Sequence, residues 1–194
     1  MAINDEALET IFRAARTHNK WQDKPVSPAL LMAVYDLMRW GPTAANSSPL
    51  RLVYVVSPEA KEKLKPYLSP NNVKKTMAAP ATAILGYDLA FARHMGRLYP
   101  AVPDAANWYA DPQVAEKNAF RNASLQGGYF IVAARALGLD CGPMSGFDNE
   151  GVDRTFFAGT KIKSNFLCNL GYGDPEGLYP RGPRLGFDEA CQIV

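Results

Sequence analysis

Residues 112–137 read PQVAEKNAFRNASLQGGYFIVAARAL, polar at first and then almost wholly apolar from Tyr129 to Ala134. The pattern predicts one long helix over Pro112–Leu137, with Gly138 as its stop. A helix that is apolar all round belongs in the middle of a molecule, so the other elements are expected to pack about it. Gly127-Gly128 inside it cost about 1 kcal/mol each relative to alanine, and close approach of a neighbour is the expected compensation.

On the N-terminal side, Leu8, Ile11, Phe12 and Ala15 recur at helical spacing behind Asn4, which predicts a first helix ending near Arg16. Ser27-Pro28 is a cap followed by a proline at the first helical position. The second helix it opens is expected to bury Leu30, Leu31, Val34, Leu37 and Met38 before Gly41-Pro42 ends it. Leu50–Val56 and Ala81–Tyr87 read as strands, with a short charged helix after the first. Gly96–Asp111, rich in Pro, Tyr and Trp, reads as an ordered loop or lid. Beyond the long helix come a short helix over Asn149–Phe157 and a third strand over Phe166–Leu170. Few strands separated by long helical stretches suit a sheet covered by helices on both faces.

The 194 residues are 47% hydrophobic and 21% charged, which excludes disorder, collagen and coiled coil. No run approaches the roughly 18 apolar residues of a membrane span. The acidic opening Met-Ala-Ile-Asn-Asp-Glu is unlike a signal peptide, so a cytoplasmic protein is expected. A net charge of +2 argues against nucleic acid as a partner. Cys141, Cys168 and Cys191 are too far apart for a paired metal motif, and no metal site is expected.

Familiar catalytic motifs fail. Gly171-Tyr172-Gly173 starts like a dinucleotide fingerprint, but Pro175 intervenes, Glu176 stands at the third position beyond Gly173, and no helix follows. Ser145 in Gly142-Pro-Met-Ser-Gly146 sits one place late for a nucleophile elbow. No P-loop and no His-Glu-x-x-His is present, so no catalytic side chain is expected, and the chemistry must come from a bound group. Arg16, His18 and Lys20 stand at alternate positions and can share a face of an extended segment, either to meet a phosphate or as a solvated basic loop. Pro42–Pro49 is either a small-residue loop that admits a flat ligand or an ordinary turn.

Taken together and in order, Arg16-Thr-His18-Asn-Lys20, Pro42-Thr43-Ala44-Ala-Asn46-Ser, Asn72-Val-Lys-Lys75, Gly142-Pro143-Met144-Ser145-Gly146-Phe-Asp and Arg181-Gly-Pro-Arg184 resemble the nitroreductase superfamily over essentially the whole chain. The opening through Trp21-Gln-Asp-Lys-Pro-Val, the Phe120-Arg-Asn-Ala-Ser-Leu-Gln-Gly-Gly-Tyr129 helix and Gly142-Pro-Met-Ser-Gly-Phe147 look like its malonic semialdehyde reductase (RutE-type) branch.

The resemblance implies an α+β fold in one domain, with a mixed, mainly antiparallel sheet between helices and a long central helix. It also implies an obligate homodimer, its tail from about residue 175 reaching the partner subunit. FMN would lie at the interface, reduced by NADPH or NADH. Arg16, His18 and Lys20, helped by Arg181 and Arg184, would meet its phosphate, ribityl chain or pyrimidine edge. Asn72 and Lys75 would bind the pyrimidine end. Pro42, Thr43, Ala44 and Asn46 would come from the partner subunit to cover the ring. Pro143, Met144, Ser145 and Gly146 would line its other side, with the Ser145 or Gly146 N–H at flavin N5. Many nitroreductases carry a glutamate after the position of Met144, and this chain has Ser145.

The reaction so implied is hydride transfer through the flavin to a small carbonyl substrate, malonic semialdehyde, giving 3-hydroxypropionate as in pyrimidine degradation. Arg93, Arg97 and Arg121 are the candidates for its carboxylate. The alternatives are a broad nitro, quinone or enal reductase and a flavin-storage protein without turnover.

Overall fold

The computed structural model describes residues 2–194. Its elements are α1 (Asp5–Leu8, continued as a π turn over Glu9–Arg13), α2 (Pro28–Met38), β1 (Leu50–Val55), α3 (Pro58–Leu64), α4 (Pro70–Ala78), β2 (Ala81–Asp88), α5 (Met95–Leu98), α6 (Pro112–Ala136), β3 (Asp140–Met144), α7 (Asn149–Phe156), β4 (Ile162–Gly171) and α8 (Phe187–Ala190). The four strands form one antiparallel sheet in the order β1-β2-β4-β3. Among the described residues parallel pairing enters only as the bridge Thr17–Cys141.

Helices begin where their caps require. The side chains of Ser27, Ser57 and Asp111 each accept a backbone N–H from the first turn, each with proline at the next position. The strands alternate about the sheet plane. Ala81, Ala83 and Leu85 of β2 with Cys168 and Leu170 of β4 meet α2 and α6 on one face, around Phe130, while Ile84 and Leu167 meet Leu64, Leu68 and Val152 on the other. That second face also buries a polar row. Thr82 Oγ1 donates to Asn169 Oδ1 at 2.7 Å, and Asn169 Nδ2 donates to Thr76 Oγ1 at 3.3 Å. Phe91, Met95, Ala105, Ala115 and Ala119 form a third cluster, so the region read as a loop or lid is a set of short helical turns with its own core.

Several expectations change. The first helix ends at Arg13, and Leu8 and Ile11 are half-covered while Phe12 is exposed. Leu37 faces outward on α2, because the buried stripe runs through Leu31, Val34 and Met38. Gly127 does sit against a neighbour, since a Cβ there would lie 2.7 Å from the Phe166 ring, but Gly128 has nothing within 4 Å. Asp140–Met144 is a fourth strand that the sequence pattern does not announce. Its Gly-Pro pair masks the pattern, and Pro143 is tolerated because β3 lies at the sheet edge. The predicted third strand extends back to Ile162. Among the described residues no helix is long and apolar enough to cross a membrane.

Candidate functional site

After Ala14 the chain runs extended between β3 and the segment leaving β4. The His18 N–H donates to Cys141 O at 3.0 Å, Trp21 bridges Gly173, and the Gln22 N–H donates to Tyr172 O at 2.8 Å. Arg16, His18 and Lys20 all meet one partner, the chain's own Gly173–Tyr179. Arg16 Nη2 donates to Tyr179 O. Lys20 Nζ pairs with Asp174 at 2.7 Å and Glu176 at 3.0 Å. The hydrogen bonds to Asp174 and Glu176 raise the Lys20 pKa, and Lys20 in turn holds the Asp174 carboxyl below its ordinary range. His18 is buried, its Nε2 lies 3.3 Å from Asp140 Oδ1, and Asp140 Oδ2 accepts the Gly173 N–H at 2.8 Å. The imidazole lies so close over Gly173 that a Cβ has no room there, and its Nδ1 is buried without a partner among the described residues.

Trp21 carries the segment across to α4, its Nε1 donating to Lys75 O at 3.0 Å. Burial lowers the Lys75 pKa. One turn earlier, Asn72 is buried and its Nδ2 donates to Gly146 O at 2.7 Å, while the Ser69 N–H donates to the same carbonyl at 3.1 Å. Two donors on one carbonyl fix the orientation of that peptide. The N–H groups of Ser145 and Gly146 meet no acceptor among the described residues. Met144 is buried beneath, with the Thr76 hydroxyl 3.5 Å from its sulfur, and Pro143 precedes it half-buried. Lys61 supports α4 from below, its buried ammonium donating to Thr76 O, Met77 O and Ala79 O at the helix C-terminus.

The loop after α2 lies elsewhere. Ala45, Asn46 and Ser48 have φ of 48°, 51° and 41°, left-handed values that cost non-glycine residues roughly 1–2 kcal/mol each. Side chains from α6 hold it there. Asn122 Oδ1 accepts the Ala44 N–H at 2.8 Å, Asn118 Nδ2 donates to Ser47 Oγ at 3.3 Å, and Gln126 Oε1 accepts the Leu50 N–H at 3.0 Å. Thr43 Oγ1 accepts the Ser48 N–H at 3.1 Å, and Asn46 Nδ2 donates to Leu98 O at 2.8 Å. Pro42, Ala44 and Asn46 are exposed.

The structure therefore joins Arg16, His18, Lys20, Asn72, Lys75 and Pro143–Gly146 into one connected region. Pro42, Thr43, Ala44 and Asn46 share no hydrogen bond with it. Arg181 donates to Arg13 O at 2.7 Å and Ala15 O at 3.1 Å, beside Arg16, whereas Arg184 bonds only to Gly182 and Pro183 carbonyls of its own turn. Sequence reasoning missed Asp140 and Trp21, which tie the basic segment to its neighbours. It also missed the loop braces, although Asn118, Asn122 and Gln126 at i, i+4 and i+8 are a legible amide stripe along one face of the helix.

The sequence profile of the Nitroreductase family matches residues 3–172. A Burkholderia lata protein with the provisional name NADH dehydrogenase/NAD(P)H nitroreductase is 60% identical over 192 residues, covering 98% of each chain. A Bacillus subtilis protein, provisionally a nitroreductase, has a structure that superposes with a TM-score of 0.89 at 23% identity, over 98% of this chain and 100% of that one. A similarly named Exiguobacterium sibiricum protein, solved in complex with FMN, superposes with a TM-score of 0.84 at 16% identity, over 100% and 99% of the chains. A profile that spans most of the chain and a full-length relative at this identity place the protein in the nitroreductase family.

Proposed function

We propose that this protein is an FMN-dependent oxidoreductase that takes hydride from NADPH or NADH and passes it to a small acceptor, malonic semialdehyde in the narrowest form of the reading. The observation that carries it is the Gly146 peptide, held by Ser69 and Asn72 with the Ser145 and Gly146 N–H groups unengaged. Fixed donors in a chain without a nucleophile motif suit an electron-rich edge of a bound ring. The flavin, when bound, supplies the hydride chemistry itself.

The residues present fit that group. Gly146 packs against Asn72, where a Cβ would lie 2.8 Å from Nδ2, so only glycine leaves the backbone open there. Asn72 keeps its side-chain oxygen for the pyrimidine end. Lys75, partly desolvated, gains from a nearby anion, which restores its charged form. The orphaned His18 Nδ1 is a buried nitrogen that a ligand or water oxygen can satisfy. Arg16 and Arg181 suit a phosphate because a guanidinium retains donors beyond those it uses on carbonyls. Arg184 is set beside them by the resemblance alone, since its guanidinium bonds to the Gly182 and Pro183 carbonyls. Lys20 reaches a phosphate only by loosening Asp174 and Glu176.

A second copy of the chain completes the site in this reading. Met32, Tyr35, Leu37 and Trp40 around α2 and Val114, Leu125 and Tyr129 on α6 are exposed apolar side chains, and the tail from Tyr179 is exposed throughout, Leu185, Phe187 and Ile193 included. Such surface marks an interaction face. The tail then lies on the partner, and Pro42, Thr43, Ala44 and Asn46 reach over the partner's ring.

Anaerobic addition of NADPH to the yellow protein tests the reading. Bleaching within seconds and return of colour on adding acceptor are expected, whereas persistent yellow makes it a storage protein. The name of the Burkholderia lata relative favours a second reading, a broad nitro, quinone or enal reductase. A kcat/KM for a nitroarene tenfold or more above that for malonic semialdehyde selects it.

A further inference from the structure

A second charged cluster lies apart from the Gly146 region, beside a pocket of about 880 Å3. Arg51 of β1, His94 and Arg97 line it beside Asn46 and Leu98, while the rest of the lining includes Met32 and Trp40, which the second copy covers in the proposed dimer. The organising group is Asp88, the last residue of β2, which is 1% exposed. One of its oxygens accepts from Arg51 Nη2 at 2.8 Å and Arg93 Nη2 at 3.0 Å, and the other accepts the Ala90 N–H at 2.8 Å. Arg51 is further held by the Ser48 and Leu50 carbonyls. Arg93 Nε donates to His94 Nε2 at 3.2 Å.

Arg97 makes no ion pair or hydrogen bond among the described residues. Asp88 thus pairs with two guanidiniums, and that of Arg97 is left without a carboxylate among the described residues. The carboxylate that lines the pocket, Asp36, stands 3.8 Å from Arg39 and is matched there. Burial and the charges of Arg51, Arg93 and Arg97 hold the His94 pKa below its ordinary range, with Asp88 opposing them. Arg121, on the exposed side of α6, does not line this pocket.

We propose that Arg97, with Arg51 set by Asp88, receives an anionic oxygen group, carboxylate or phosphate, of a molecule lying in this pocket along the Asn46 loop. A planar guanidinium without a protein partner, beside one that is prealigned, presents paired donors to such a group. The site stands on this geometry alone. Naming its owner rests on the proposed function: the group belongs either to the acceptor or to the nicotinamide donor.

The test uses the purified FMN-loaded protein, titrated with malonate and with adenosine 2′,5′-bisphosphate. Binding is read by calorimetry and by the NMR resonance of His94, one of only two histidines. A bound anion is expected to move that resonance and raise the His94 pKa, because it offsets the three cations facing it. Arg97→Gln should weaken binding at least fivefold and Arg97→Lys less, while Arg154→Gln on α7, at a distant exposed ion pair, leaves it unchanged.

If the owner is the donor, Arg97→Gln lowers the NADPH to NADH ratio of kcat/KM at least fivefold. If it is the acceptor, the ratio that falls is that of a carboxylate-bearing to an uncharged aldehyde. Failure of both probes to move His94, or equal binding by Arg97→Gln and the unaltered protein, overturns the site and leaves the flavin reading intact. Arg97-dependent malonate binding by a protein that takes up no FMN keeps the site and sinks the flavin reading.

Discussion

Two regions of this chain carry the residues expected around a flavin, and they are finished to different degrees. The region of Arg16–Trp21, β3 and α4 is closed by contacts within one chain: Asp140 joins His18 to Gly173, Trp21 joins the basic segment to Lys75, and two donors hold Gly146 O. The loop Pro42–Ser48 is held from beneath by α6 in a strained backbone, and among the described residues it otherwise meets the rest of the chain by hydrogen bond through Asn46 to Leu98 and through Ser48 to Arg51. The same side of the molecule carries exposed Met32, Tyr35 and Trp40. In the proposed dimer, one wall of the site is thus an intramolecular product of folding, whereas the other would be completed by the second copy.

The largest effect expected of a single change tests the unfinished wall. Trp40, 77% exposed, should be an anchor of the proposed dimer. Trp40→Ala is expected to cost association about 2–4 kcal/mol, roughly thirtyfold or more in the dimer constant, by sedimentation equilibrium. Unchanged association moves the partner surface elsewhere and breaks the comparison.

Next comes the brace. Asn122→Ala leaves the Ala44 N–H without its acceptor in a strained loop, and should lower stability by about 1–3 kcal/mol in urea unfolding at constant m. A loss below about 0.5 kcal/mol shows that the loop keeps its shape without α6.

For the finished wall, Arg16→Ala should weaken FMN retention about tenfold, near 1.4 kcal/mol, measured by fluorescence of released flavin. Wild-type affinity removes the basic segment from the site.

The smallest effect concerns the clip between Lys20 and Asp174. Asp174 titrates below its ordinary range because Lys20 bonds its charged form, so its contribution to the folded state is complete above the ordinary aspartate value and is lost as pH falls through the depressed one. Lys20, raised by the same pair, contributes below the ordinary lysine value and loses that as pH rises through the raised one. Amide exchange at Gly173–Gly177, corrected for intrinsic rates, should therefore quicken at both ends of the pH range, and Asp174→Asn should flatten the profile. Lys20 is exposed and Asp174 only partly covered, so a global change in stability is not expected.

What could be read in the residues was what local chemistry dictates. Ser27-Pro28 and Gly138 mark helix ends because caps and left-handed stops are properties of a few neighbouring residues. The strands over Leu50–Val55 and Ala81–Asp88 follow from short apolar, β-branched runs. Order along the chain also sufficed to collect the basic segment, the Asn72-x-x-Lys75 turn and the Gly142–Gly146 stretch as candidates. Only the tertiary structure decided what each of them meets. Gly142-Pro143 becomes an edge strand because β4 offers it a partner, Lys20 faces two carboxylates more than 150 positions away, and Arg97 is left without one. Charge, burial and hydrogen-bond supply depend on neighbours brought together by long-range packing, and spacing along one chain carries no record of them.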